Sequence, residues 1–155
     1  MRLIKFLVIH CTATPVTATI ESMKRHWKLV LKWKNPGYHY VIQRNGEIVM
    51  ITDEKNIANG VAGNNAHSIH ISYIGGIDKE GKLLDNRTDE QKEAMYNKLL
   101  ELATKYPNAI IRGHRDFSPD TNKNGVVDPY EWIKGCPSFD VTEWLDNYRL
   151  IKQAA

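Results

Sequence analysis

His114 and Cys136 delimit the stretch that most constrains how this 155-residue chain can fold. The stretch runs from Arg112 to Pro137, and Lys134 stands just before the cysteine. Histidine and cysteine are ligands that suit zinc, and a lysine beside a metal can stabilise a developing negative charge. A catalytic zinc site usually has three protein ligands and one open position. The fold must therefore bring a third ligand to this stretch from elsewhere in the chain.

The positions of the histidines along the chain favour His10 as the third ligand. The apolar run from Leu3 to His10 is typical of a central β-strand, and Pro15 follows soon after it. His114 likewise follows a short predicted strand, Ala109 to Arg112. Because α/β folds place their sites at the carboxyl ends of strands, both histidines are expected at one edge of a sheet. A structural role for His10 remains an alternative on this evidence alone.

Strand and helix patterns alternate along the rest of the chain. Asn45-Gly46 predicts a hairpin turn, Thr88 with Gln91 a capping box, and Phe139 with Trp144 a hydrophobic staple. The remaining predicted elements are a helix from Thr17 or Thr19 to Asn35, hairpin strands Tyr38–Gln43 and Ile48–Thr52, a strand Ile69–Ile74, a helix Thr88–Tyr106 and a last helix capped by Asp140. This alternation favours an α/β fold with a central mixed β-sheet flanked by helices.

Composition narrows the classes of molecule that this chain is expected to bind. The chain has 42% hydrophobic and 25% charged residues and a net charge of +3, typical of a soluble globular protein. No basic run argues for nucleic acid, and no apolar stretch approaches the roughly 20 residues needed to cross a bilayer. We therefore expect one domain over residues 1–155, a monomer, with neither nucleic acid nor membrane as partner. We expect no disulfide between Cys11 and Cys136, because Cys136 is a candidate metal ligand.

Five short motifs occur in a fixed order. They are V-I-H-C-T-A-T at 8–14, G-Y-H-Y-V-I at 37–42, S-I-H-I-S-Y-I-G-G at 68–76, R-G-H at 112–114 and K-G-C-P-S-F-D at 134–140. Together they resemble the zinc-dependent N-acetylmuramoyl-L-alanine amidases of the phage-lysozyme and peptidoglycan-recognition-protein family. The resemblance runs from about Lys5 to Asp140. It implies a mixed sheet flanked by helices with a zinc cleft on one side, and hydrolysis of the amide between N-acetylmuramic acid and L-alanine in peptidoglycan.

The resemblance also implies roles for individual residues. Carried over position by position, the zinc ligands fall on His10, His114 and Cys136. The catalytic residues fall on Tyr38 and Lys134. Zinc lowers the pKa of a bound water and polarises a carbonyl, and a lysine near it can hold an oxyanion.

Substrate contacts are expected from the loop and strand that carry Asn65, His67 and His70. Asn65 and His67 lie where relatives contact substrate, and His70 is expected to line the cleft. Many relatives have His-Ala-Gly near position 61, whereas this chain has Val61-Ala62-Gly63. That difference bears on which glycopeptides the chain accepts.

An insertion at about 117–132 carries a second metal-binding pattern. The spacing D-x-N-x-N-G-x5-E over 120–131 matches the EF-hand calcium loop at every defined position. The calcium ligands it predicts are Asp120, Asn122, Asn124, the Val126 carbonyl, Asp128 and Glu131. Pro119 and the short run before Cys136 leave little room for flanking helices. The alternative is an Asn/Gly-rich surface turn without a metal.

Three other functions are compatible with parts of the sequence: a non-catalytic peptidoglycan-binding module of the same fold, a cytosolic wall-recycling amidase and a regulatory calcium protein. Cys136 and Lys134 together favour an enzyme over the module, and Cys136 disfavours the recycling amidase, whose relatives use a carboxylate ligand. No signal peptide is visible, since no small-residue cleavage site follows the first apolar run. We expect synthesis in the cytoplasm and action on the cell wall, as a phage or prophage lysin or by another export route.

Overall fold

Five strands form one mixed β-sheet in a computed structural model that describes residues 1–154. The strands are β1 (Phe6–Cys11), β2 (Tyr40–Ile42), β3 (Ile48–Met50), β4 (Ser68–Tyr73) and β5 (Ile110–Gly113). Their order in the sheet is β3-β2-β4-β1-β5, and all neighbours are parallel except β2 and β3. The predicted mixed sheet is confirmed. The carboxyl ends of β1, β2, β4 and β5 lie at the same edge, which brings His10 and His114 to that edge.

Two helices cover one face of the sheet. They are α2 (Asp89–Lys105) and α3 (Val141–Ala154). The main core forms there, and it includes Leu7, Ile9, Ile69, Ile71, Met95, Leu99, Leu102 and Val141. The predicted capping box of Thr88 and Gln91 is present. The Phe139 and Trp144 rings lie 5.6 Å apart, and the Asp140 carboxylate accepts a hydrogen bond from the Glu143 backbone N–H at 2.8 Å. The predicted start of the last helix is therefore confirmed.

A shorter helix covers only part of the opposite face. This helix, α1 (Ile20–Arg25), continues into a π-helical turn over His26–Val30. Thr19, one of the two predicted caps, is its N-cap. Its buried residues Met23 and Trp27 pack against Val41 of β2 and against Ile74, which directly follows β4. The rest of this face, toward the carboxyl edge, is left open as a cleft.

Because side chains alternate along a strand, the open face receives the residues of β1 and β4 that do not enter the main core. These are Phe6, Val8 and His10 from β1, and Ser68, His70 and Ser72 from β4. Val8 pairs with His70, and His10 pairs with Ser72. His10 and His70 are therefore diagonal neighbours on one face of the sheet, close enough for long side chains to touch.

Arg87 fixes the start of α3. Its guanidinium carbon lies 3.3 Å from the ring centre of Phe139 and 4.5 Å from that of Trp144. Its Nε atom donates to the Asp85 carboxylate at 2.8 Å. Because Phe139 follows Cys136 closely, this cation–π stack also restrains the segment that carries Cys136. Within residues 1–154, the helices are all too short or too polar to span a membrane.

Candidate metal centre and active site

Three side chains from distant parts of the sequence meet at the carboxyl edge of the sheet. One ligand atom from each of His10, His114 and Cys136 lies within 4.8 Å of the others. His10 lies near the carboxyl end of β1 and is buried, with 1% of its surface exposed. His114 opens a 3-10 turn, His114–Phe117, directly after β5. In the described part of the chain this is the sole group of three or more His, Cys, Asp or Glu side chains placed to share an ion. The structure thus contains a cluster that could hold a metal.

Backbone hydrogen bonds hold Cys136 in this cluster. The Cys136 carbonyl accepts from the Arg115 N–H at 2.8 Å, and the Cys136 sulfur accepts from the Cys11 N–H at 3.1 Å. The Tyr73 hydroxyl donates to the carbonyl of Pro137 at 2.8 Å. The loop before α3 is thereby tied to the ends of β1, β4 and β5. Cys11 and Cys136 are both free thiols, as predicted.

The charge states of these groups suit a divalent ion. Burial lowers the pKa of His10 well below its ordinary value, and the neighbouring His70 and His114 lower it further. Burial and the charge of Lys134 lower the pKa of His114 to about 4. Both imidazoles are therefore neutral near pH 7, which is the form that binds a metal. Burial raises the pKa of the Cys136 thiol, and a thiol that coordinates a metal gives up its proton. Two neutral imidazoles and one thiolate form a donor set of the kind that zinc prefers.

The cluster lies in a cleft of about 640 Å³. Tyr38, Lys134 and the aromatic side chains of Trp27 and Trp33 line this cleft. The Tyr38 ring centre is 5.1 Å from that of His10, and its hydroxyl donates to the Cys11 carbonyl at 3.3 Å. Burial raises the pKa of Tyr38, so its hydroxyl keeps a proton that it can donate. The two residues predicted to be catalytic thus share a cleft with the three predicted ligands.

The three predicted substrate contacts occupy different surroundings. Asn65 lines the cleft. His67 does not line it, and its Nδ1 atom is paired with the Leu3 carbonyl at 2.9 Å. His70 is 0% exposed and also lies outside the cleft lining. The expectation that His70 lines the cleft is therefore wrong, because its strand position buries the ring beneath the loop that carries Asn65.

The contact that His70 does make is with His10, and the sequence did not predict it. Its Nδ1 atom lies 2.9 Å from Nε2 of His10. The signal was present in part, since both histidines occupy the same face of their strands. The pairing of β1 with β4 was the missing information, because it decides which residues of the two strands are neighbours.

The 120–131 loop folds through hydrogen bonds to its own backbone. The Asp120 carboxylate accepts from the backbone N–H groups of Asn124 at 3.2 Å and Gly125 at 2.8 Å. The buried Glu131 carboxylate accepts from the N–H groups of Thr121 at 2.7 Å, Asn122 at 3.0 Å and Asp128 at 2.8 Å. These contacts suit an Asn/Gly turn as well as a calcium loop. The calcium interpretation stays a prediction.

The fold and the cluster define a class of α/β protein with a candidate hydrolytic metal site at the carboxyl edge of its sheet. The family model for N-acetylmuramoyl-L-alanine amidase matches residues 1–130. The chain belongs to this family, as the five motifs had predicted.

Individual relatives agree with this assignment. The chain is 30% identical to the endolysin of Escherichia phage T7 over 146 residues, which covers 94% of this chain and 87% of that protein. It is 45% identical over 91 residues to an uncharacterized protein of Haemophilus influenzae, covering 59% of this chain and 78% of that protein.

Solved structures share the fold. The Ph2119 endolysin from the Thermus scotoductus bacteriophage Ph2119 superimposes with a TM-score of 0.71 at 20% identity, over 94% of this chain and 84% of that one. The bumblebee protein PGRP-SA superimposes with a TM-score of 0.68 at 15% identity, over 94% of this chain and 81% of that one. The likeness confirms the predicted architecture.

Proposed function

We propose that this chain is a zinc-dependent enzyme that hydrolyses the amide between N-acetylmuramic acid and the L-alanine of peptidoglycan stem peptides. The observation that carries the proposal is the convergence of His10, His114 and Cys136 within 4.8 Å in an open cleft. Membership of the amidase family supports the same reaction. The products would be a free stem peptide and an intact glycan strand.

Zinc is the ion that fits this donor set best. His10, His114 and Cys136 would hold it, and the cleft would leave its fourth position open to substrate and water. When bound, zinc supplies an activated water and polarises the scissile carbonyl.

Two further side chains would act on the substrate. Lys134 is exposed in the cleft lining, and its charge reaches His114, where it contributes to the lowered pKa. It would stabilise the negative charge that develops on the carbonyl oxygen. Tyr38 keeps its proton and would donate a hydrogen bond to the carbonyl or orient the water. Asn65, which lines the cleft, is the proposed substrate contact.

The site of action would be the cell wall. Relatives over most of the chain are named endolysins, and synthesis in the cytoplasm followed by release or export fits that role. We propose that residues 1–155 act as one domain and as a monomer. We also propose that the 120–131 loop takes up calcium through Asp120, Asn122, Asn124, Val126, Asp128 and Glu131, on the strength of the sequence pattern.

Product analysis on purified sacculi tests the reaction. Digestion should release new α-amino groups on alanine and no new reducing sugar ends. Cys136→Ser is the matched inactive control. Reducing ends without free alanine would show a glycosidase and refute the amidase proposal. Tight binding to sacculi with no release of either group would instead identify a non-catalytic peptidoglycan-binding module, which the presence of both Cys136 and Lys134 in the cleft disfavours.

A further inference from the structure

A chain of hydrogen bonds leads from the metal cluster through a buried histidine to the loop before β4. The Nε2 atom of His10 lies 2.9 Å from Nδ1 of His70, and Nε2 of His70 lies 3.0 Å from Oδ1 of Asn65. His10 and His70 are almost completely buried, with 1% and 0% of their surfaces exposed. These hydrogen bonds join β1, β4 and the loop before β4.

The direction of each of these hydrogen bonds follows from the role of Asn65, the last residue of the hydrogen-bonded chain. The Asn65 Oδ1 atom accepts the backbone N–H of Val61 at 2.7 Å, so this oxygen is an acceptor. His70 must then donate to it from Nε2. A neutral imidazole carries one proton, so Nδ1 of His70 is an acceptor and His10 donates to it from Nε2. The lone pair of His10 is left on Nδ1, the atom that lies 3.7 Å from the Cys136 sulfur.

From this geometry we propose that His70 is a positioning residue for the metal centre, which it serves by fixing the tautomer and the ring orientation of His10. The inference rests on the proposed metal site. A ligand histidine usually donates its second N–H to a carboxylate, a backbone carbonyl or water. Here a neutral imidazole takes that place, so the ligand is oriented without adding negative charge to the cluster.

The protein holds the His70 ring in place from two further sides. A Cβ atom at Gly60 would lie 2.3 Å from Nδ1 of His70, so only glycine leaves room for the ring. On the other side the His39 ring stacks on it, with ring centres 5.8 Å apart. The backbone N–H of His70 donates to Nδ1 of His39 at 3.0 Å. Side-chain packing and hydrogen bonds therefore allow the ring one orientation, which a positioning role requires.

Zinc affinity tests the proposal without using activity as the readout. Competition with a chromogenic chelator should show that His70→Phe, which keeps a ring but removes the acceptor, binds zinc about 10- to 100-fold more weakly than the wild type. His70→Asn should bind more tightly than His70→Phe, because an asparagine oxygen can replace the Nδ1 acceptor. His26→Phe, an exposed histidine on the turn after α1, should bind zinc like the wild type. Equal zinc affinity of His70→Phe and the wild type would overturn the proposal.

A measurement on the wild type avoids any folding defect of the variants. In zinc-loaded protein with ¹⁵N-labelled histidine, NMR should show a proton on Nε2 of both His10 and His70 and an unprotonated Nδ1 on His70. A proton on Nδ1 of His70 would refute the inference and leave the amidase proposal standing. Failure of the wild type to bind zinc would refute the metal assignment itself, and with it the role of His70.

Discussion

The backbone N–H of Cys11 donates a hydrogen bond of 3.1 Å to the sulfur of Cys136. Cys11 directly follows His10 in β1, so one strand carries one proposed ligand as a side chain and supports a second proposed ligand through its backbone. A hydrogen bond donated to sulfur stabilises the thiolate over the thiol. This hydrogen bond therefore fixes the sulfur of Cys136 relative to the ring of His10, although the two residues come from opposite ends of the chain.

Removal of the sulfur should remove the metal. Cys136→Ser should lose zinc and activity together, because a hydroxyl is a poor replacement for a thiolate ligand. Cys11→Ser keeps the backbone donor and should retain zinc, so it is the matched control. Metal content per chain by mass spectrometry and turnover on sacculi measure both effects. Full zinc occupancy with full activity in Cys136→Ser would contradict the ligand assignment.

Removal of the proposed catalytic groups should separate turnover from metal binding. Lys134→Ala and Tyr38→Phe should keep zinc and lose about 100- to 1,000-fold in turnover, the usual effect of removing one donor to an oxyanion. Lys79→Ala, an exposed lysine outside the cleft lining, is the control. Near-normal turnover in Lys134→Ala would mean that this lysine is only a solvated surface residue.

Arg87 should be a principal contributor to stability. Its side chain is 1% exposed, pairs with Asp85 and stacks on Phe139 and Trp144. Arg87→Met should lower the free energy of unfolding by about 3 kcal/mol, because it removes the stack and leaves Asp85 partly buried without its partner. Arg149→Met, on the exposed side of α3, should change it by less than about 0.5 kcal/mol. Urea denaturation compares the two variants, and similar midpoints would contradict the prediction.

Glu131 should make stability depend on acid pH. Hydrogen bonds from the Thr121 side chain and from the loop backbone lower the pKa of Glu131 from 4.5 to about 2. The carboxylate therefore stabilises the folded state above pH 4.5, and this contribution is lost as the pH falls toward 2. Glu131→Gln should be less stable than the wild type at pH 6, and the difference should shrink between pH 4.5 and 2. Thermal unfolding at several pH values measures it, and a constant difference would argue against a buried, hydrogen-bonded carboxylate.

Calcium should stabilise the protein if the 120–131 loop binds it. Without a cation, Asp120, Asp128 and Glu131 place three negative charges in one loop. A ligand that binds only the folded state raises its stability by about 2.7 kcal/mol at 100 times its dissociation constant. Calcium added to the zinc-loaded, calcium-stripped protein should raise the melting temperature and give heat of binding by calorimetry. Asp120→Ala should abolish both effects, and Asp146→Ala, on α3, should abolish neither. Absence of binding up to millimolar calcium would identify an Asn/Gly turn.

Local sequence determined most of the elements and the family. Thr19, Thr88 and Asp140 begin their helices as predicted, because a cap needs only the few residues around it. The hairpin turn at Asn45-Gly46 likewise depends only on the residues within it. Its strands are shorter than predicted, with β2 limited to Tyr40–Ile42 and β3 to Ile48–Met50. The five motifs identified the family, and they predicted three side chains that the structure brings together, since residue types and their order are properties of the sequence.

Tertiary structure decided how those residues meet. The expectation that His70 lines the cleft was wrong, and its contact with His10 was not foreseen, because strand pairing sets both. The parallel alignment of β1 with β4 puts Val8 opposite His70 and His10 opposite Ser72. A shift of one residue would turn His70 to the other face of the sheet. Residue type and local periodicity are fixed along the chain, but the distance between residues 60 positions apart depends on which strands pair and in what alignment.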